Sequence, residues 1–171
     1  LAPIADGAPF LLREVRVEGA SVFAPAEFSA IWEDLLGEDV SPRQAAAIAQ
    51  EVERFYRERG YVFTRVLPGR PDAAAGVIPI TVVEARIEVV SVEEPEGPVG
   101  PVKALMDRLA RTLEGRENPT LEDLERVLLL LNDIPGVTRA TAIPRAGEGG
   151  AGAVALTINA VRDPFGGAVF A

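Results

Sequence analysis

A leucine-rich helix that breaks at a Pro-Gly turn and runs into a strand, Leu124–Val137 (LERVLLLLNDIPGV), constrains this chain more than any other stretch. Glu51–Val62 (EVERFYRERGYV) is a degenerate copy, a helix that breaks at Gly60 and again opens into a strand. Each copy is followed by a strand, a Gly-rich turn and a second apolar strand. Repetition at long period means that one supersecondary unit is used twice, and it decides the architecture before local propensity does. The chain therefore reads as two tandem α+β units. Its 171 residues fit one or two domains, and units of that size bury enough surface to fold.

Composition narrows the function. Hydrophobic residues make up 48% and charged residues 25% of the chain, which is a globular balance and not a disordered one. The net charge is −9, with carboxylates spread along the whole length. A protein that tracks nucleic-acid phosphates needs a basic face, so no nucleic-acid partner is expected. With no Cys and no His, thiol nucleophiles, Ser-His-Asp triads, disulfides and Cys/His metal sites are excluded. No apolar run reaches the length of a membrane-spanning helix. The start, LAPIADGAPF, lacks the basic and apolar regions of a signal peptide and reads as a mature or trimmed terminus.

In chain order, residues 1–9 read as a flexible leader. Leu11–Glu18 alternates apolar and charged residues, the period of a half-buried strand. Pro25 opens a short helix with Phe28, Ile31 (or Trp32) and Leu35 on one face. Ser41 and Gln44 form a capping-box signal for a second helix, whose Ala45, Ile48, Val52, Phe55 and Tyr56 face the core, and Gly60 ends it. Tyr61–Leu67 is the next expected strand, stopped by Pro68-Gly69, and Gly76–Glu84 the third, with Ile78, Ile80 and Val82 on one face. The order then repeats. Arg86–Glu94 is a strand carrying Ile87, Val90 and Val92, and EPEGPVGP is a break. A helix follows with Val102, Leu105, Leu109 and Leu113 on one face. Thr120 and Asp123 cap the next helix, whose buried stripe is Leu121, Leu124, Val127 (or Leu128) and Leu131. Val137–Ile143 is a strand closed by Pro144, GEGGAG a turn, and Val154, Leu156 and Ile158 alternate in the last strand. The tail 161–171 belongs to neither unit.

Motifs that carry chemistry are scarce. GEGGAG lacks the Gly-Lys-Ser/Thr ending of a phosphate loop and precedes a strand, so it reads as a hairpin turn. Glu33, Asp34, Glu38 and Asp39, like Glu93, Glu94 and Glu96, lack the alternating ligands and Gly of a calcium loop and read as solvated acidic loops. No carboxylate pair stands in a context that would raise a pKa. No enzyme, cofactor, metal or small-molecule substrate is expected. The sharper idea is a sheet edge: a three-stranded sheet has two, and each presents unpaired backbone groups to an extended partner.

Two tandem units, the passage Gly60–Ile87 (GYVFTRVLPGR…GVIPITVVEARI) and LERVLLLLNDIPGV together resemble the paired POTRA domains of two-partner secretion transporters, the haemolysin-activator-like outer-membrane proteins. The resemblance implies two POTRA-like β-α-α-β-β units, each a mixed three-stranded sheet covered by two helices, over residues 10–85 and 86–160. It implies a place on the periplasmic face of the bacterial outer membrane, with 161–171 leading into a C-terminal β-barrel. The partners would be that barrel and the N-terminal secretion domain of an unfolded exoprotein, received partly by strand addition. On the same basis the partner-binding residues would be Tyr56, Arg57, Tyr61, Val62, Phe63, Thr64 and Arg65, and on the second unit Thr138, Arg139 and Thr141. Alternatives with the same fold are a barrel-assembly factor and a periplasmic scaffold. Two positions depart from the family's pattern: Ala85 stands where a Gly is usual, and Pro79 lies inside the expected central strand.

Overall fold

Both helix starts read from the sequence are reciprocal caps in the computed structural model. Ser41 Oγ accepts from the Gln44 N–H while Gln44 Oε1 accepts from the Ser41 N–H at 2.9 Å. Thr120 and Asp123 make the same exchange, with a 3.0 Å bond back to the Thr120 N–H. The chain divides into two compact units, Leu1–Glu84 and Ala85–Ala171, and the structure describes residues 8–93 and 100–162. The leader, the break at EPEGPVGP, the tail and the acidic residues Glu94 and Glu96 lie mostly or wholly outside the described residues.

Unit 1 contains β1 (Phe10–Leu11), β2 (Glu14–Glu18), β3 (Asp39–Val40), α1 (Pro42–Glu58), β4 (Arg65–Pro68) and β5 (Val77–Val83). Its main sheet has the order β2-β5-β4, with β2 parallel and β4 antiparallel to the central β5. The period-two pattern of β5 buries Ile78, Ile80 and Val82 against Ala45, Ile48, Val52 and Tyr56 of α1. Four differences from the sequence reading have local causes. Leu11–Glu18 is not one strand, because Phe10–Leu11 pairs with β3 instead. The helix opened by Pro25 is 3-10, Pro25–Ile31, tight enough to bring Phe28 fully into the core. Tyr61–Thr64 is a turn and not the start of β4: the Tyr61 N–H donates to the Tyr56 carbonyl and the Thr64 N–H to the Tyr61 carbonyl. Pro79 sits in the central strand without a bulge. Its carbonyl accepts from the Gly69 N–H at 2.8 Å, so its nitrogen faces the same side, where β4 has already ended. Gly69 is required there, since a Cβ would fall 2.7 Å from Pro79 Cγ.

Aromatic rings fill the core of unit 1. Phe23 meets Phe55 and Tyr56 edge-on, each at 5.1 Å between centroids, the arrangement that ring quadrupoles favour. Beside them, the Glu84 carboxylate at the end of β5 accepts from the N–H groups of Ser21 (2.8 Å) and Val22 (2.9 Å), from Ser21 Oγ and from the Tyr56 hydroxyl (2.9 Å). Burial alone would raise the Glu84 carboxyl, but the four donors outweigh it and hold the group below its ordinary range. Burial first, then the bond to Glu84, push the Tyr56 hydroxyl well above its ordinary value.

Unit 2 contains β6 (Arg86–Glu93), α2 (Pro101–Ala110), α3 (Leu121–Asn132), β7 (Val137–Ala146) and β8 (Ala153–Arg162). The sheet order is β6-β8-β7, parallel then antiparallel, the arrangement of unit 1. A bulge between Ile87 and Val89 explains why the buried Ile87 and Val90 are three residues apart. Glu88, the extra residue, accepts from the Glu148 and Gly149 N–H groups, so the Gly-rich run is a hairpin turn held by a carboxylate. The helix stripes shift from expectation. Met106, Ala110 and Leu113 are the fully inward positions after Gly100, and in α3 only Val127 and Leu131 are, with Leu121 exposed. Pro144 does not close β7; it pairs with Leu156 inside the strand. Ala85 does not have a positive φ, so its position needs no glycine, and its carbonyl accepts from the N–H of Asn118 in the loop before α3.

Candidate partner-binding edges

Which backbone groups an edge strand offers follows from its ladder. In an antiparallel pair, residues alternate between exchanging bonds with the neighbour and pointing outward. On β4 the outward residues are Val66 and Pro68. Proline has no N–H, and the Val66 N–H donates to Glu53 Oε2 of α1 at 3.0 Å. Glu53 is held there by Arg57 at 2.8 Å. Among the described residues, β4 therefore has no outward donor left for a partner.

The residues expected to bind on this side fall into two groups. Tyr56 is 0% exposed, with its hydroxyl on Glu84, so it packs the core. Thr64 is buried as well. Arg57 and Arg65 are exposed, and Tyr61, Val62 and Phe63 are half-buried in the turn that precedes β4. They form a surface beside the edge without being part of its ladder.

On β7 the outward residues are Ala140, Ala142, Pro144 and Ala146, as the Ala140 N–H shows by donating to Asn132 Oδ1 at 2.7 Å. Pro144 occupies an outward place, where a missing N–H costs no ladder bond. Ala142 has no partner for its outward N–H among the described residues. Of the residues expected here, Thr138 lies in a second bulge and donates through Oγ1 to the Val161 carbonyl. Arg139 and Thr141 are exposed on the solvent face, while their backbone groups turn toward β8. The open outward donor beside them thus belongs to Ala142.

The remaining edges differ. The outer side of β6 is occupied: Ile87 bonds Arg116 and Gly115, the Val90 N–H donates to Glu114, and the Val92 carbonyl accepts from Lys103. On β2, Val15 and Val17 turn outward from a strand of five residues. Next to β7, α3 exposes Leu129 (65%) and Leu130 (46%) in a shallow depression shared with Glu122, Glu125, Arg126 and Asp133. Sequence reasoning missed Glu53, Asn132, Leu129 and Ala142. Only the leucines carried a signal, because four in a row cannot all face inward on one helix.

Comparison with known proteins agrees with this geometry. Residues 10–85 match the family model of the POTRA domain, ShlB-type. The outer membrane transporter CdiB of Dickeya dadantii is 24% identical over 168 residues, which is 96% of this chain but 28% of the transporter. In fold, CdiB from Escherichia coli superposes with a TM-score of 0.74 at 21% identity, over 95% of this chain and 29% of that one. POTRA1-3 of the periplasmic domain of Omp85 from Anabaena gives 0.70 at 16% identity, over 92% and 67%. With a ShlB-type POTRA match on its first unit and the same sheet order in its second, this chain is similar to the paired POTRA domains of two-partner secretion transporters.

Proposed function

We propose that this chain is the periplasmic protein-binding module of an outer-membrane two-partner secretion transporter. It receives the unfolded secretion domain of an exoprotein, partly by strand addition, and passes it to a C-terminal β-barrel. Residues 10–85 and 86–160 serve as its two domains, and the role is binding, with no chemistry performed on the cargo. The ShlB-type match on the first unit favours this over a barrel-assembly factor. Arg57, Tyr61, Val62, Phe63 and Arg65 line one contact surface, and Arg139 and Thr141 flank the other.

The observation that carries strand addition is the outer side of β7, a ten-residue strand with the Ala142 N–H turned outward. Backbone pairing of this kind gives affinity while tolerating many partner sequences. The test is Ala142→Pro, which removes one outward donor and leaves the β8 ladder intact, as Pro144 already does two residues on. Binding of the exoprotein secretion domain should weaken by about tenfold or more, the worth of one or two backbone hydrogen bonds. A folded Ala142→Pro variant that binds as tightly as the unaltered protein would remove β7 as the acceptor.

A further inference from the structure

The outward side of α3 is built unlike that of α1. On α1 the charged side chains pair with one another: Arg54 with Glu51 and, at 3.9 Å, with Glu58, and Arg57 with Glu53 at 2.8 Å. None of the exposed large apolar residues lies on α1. On α3, Leu121, Leu129 and Leu130 are exposed, although Val127 and Leu131 already form the buried stripe. At 3.6 residues per turn, Leu129 stands opposite that stripe, so the core has no use for it. The shallow depression on this side has a helical plan. Its lining divides into two rows at four-residue spacing, Glu122–Arg126–Leu130 and Glu125–Leu129–Asp133. Rows of that spacing are the ridges of a helix, and the groove between two of them is where a ridge of a second helix packs. One leucine stands in each row, with carboxylates beyond them at both ends. Glu122 is engaged by Arg126 at 3.1 Å, while Glu125 and Asp133 have no ion-pair partner among the described residues.

We infer that this face of α3 is a docking site for a basic amphipathic helix of a partner protein. It goes beyond strand addition and does not depend on it. An apolar row at four-residue spacing on the partner enters the groove and covers Leu129 and Leu130. Lys or Arg residues one turn before and after that row face Glu125 and Asp133, and complementary charge of this kind selects the partner and its orientation. An extended segment fits less well, because the backbone groups inside a helix are already paired and offer a strand nothing to bond. A second copy of this chain fits less well too, since its net charge of −9 opposes carboxylates that lack a cation. Two leucines with a charged rim make a small contact, of the size that transient partners use.

The probe is a capped, Ala-based helical peptide with a pair of Leu at four-residue spacing and a Lys one turn outside each. One control has the same composition with Leu and Lys dealt onto different faces. The other is a capped peptide alternating Val and Thr with a Lys at each end, which suits a sheet edge instead. In amide-shift titrations of the isotope-labelled chain, the helical peptide should move Glu125–Asp133 saturably, and neither control should. Leu129→Glu should weaken that binding by about tenfold or more, as the loss of one covered leucine implies. Glu125→Gln combined with Asp133→Asn should weaken it by about threefold and flatten its salt dependence. These side chains are exposed, so the variants keep the fold, and Ala142→Pro should leave the helical peptide's affinity unchanged. The inference is overturned if the helical peptide leaves α3 unmoved, if the rearranged peptide binds as tightly, or if Leu129→Glu binds like the unaltered protein. Shifts on α3 that grow with protein concentration alone would assign the face to a second copy and overturn it as well. Strand addition stands under each of these results, because it is read on β7.

Discussion

The two units share sheet order, register and helix caps, yet one has closed its outer edge and the other has not. Unit 1 is stiffened by Phe23, Phe28, Phe55, Tyr56 and Tyr61 and by the Glu84 clasp, and Glu53 covers the one outward donor of its short β4. Residues 85–162 contain no aromatic residue at all. No counterpart of the Glu84 clasp is present among the described residues of unit 2, where Asn132 at the end of α3 accepts from the Ala140 N–H. Aliphatic packing suffices for that core, and leucines beyond its needs stand exposed on α3. The two copies thus differ at their edges: the one outward donor of β4 is capped by a carboxylate, while among the described residues the outward Ala142 N–H of β7 has no partner. Topology is common to both, and a few side chains decide the difference.

That contrast can be broken most forcefully at the aromatic core. Phe28→Ala should cost about 3–5 kcal/mol, as expected for a fully buried aromatic ring. Trp32 is the single tryptophan and lies in this unit, so its fluorescence follows unit 1 unfolding. Amide protection at Leu156 and Ile158 should be unchanged; a parallel loss there would show that the two cores do not fold separately.

Glu84→Ala should cost less, about 1–3 kcal/mol, for a charged acceptor withdrawn from several donors. The pH dependence has a definite sign. Because the folded-state carboxyl lies below its ordinary value, its contribution is present above the unfolded pKa and is lost as pH falls through the folded one. Acid titration of the unaltered protein should therefore weaken the Trp32 transition, and the Glu84→Ala variant should show a smaller acid loss. An equal acid loss in both proteins would count against the clasp.

The smallest effects test what the units share. Ser41→Ala and Thr120→Ala should each cost about 1 kcal/mol, the usual worth of an N-cap, and a marked inequality between them would mean that the caps are not equivalent devices. Asp123 adds an acid-side loss in unit 2. Burial would raise its carboxyl, but bonds from Thr120 and Arg116 hold it low.

Those caps were legible in the sequence because their chemistry is local. Ser41 lies three residues from Gln44, and Thr120 three from Asp123. The alternation of Ile78, Ile80 and Val82 was legible for the same reason. The turn at Tyr61–Thr64 was not, since aromatic and β-branched residues favour strands and only the packing of Tyr61 against Tyr56 and Phe23 shows where they went. Pro144 looked like a stop because sequence does not say which side of a strand faces solvent. The caps on the edges were the least visible. Glu53 and Val66 are thirteen residues apart and meet only once the sheet has formed.

The most direct measurement is an amide-shift titration of the isotope-labelled protein with the capped Val/Thr peptide. If unit 2 is the strand acceptor, the shifts that move should run along β7 from Ala140 to Ala146, with Val66 unmoved. Shifts centred on Arg65–Leu67 or on Val15 and Val17, with β7 silent, would contradict it.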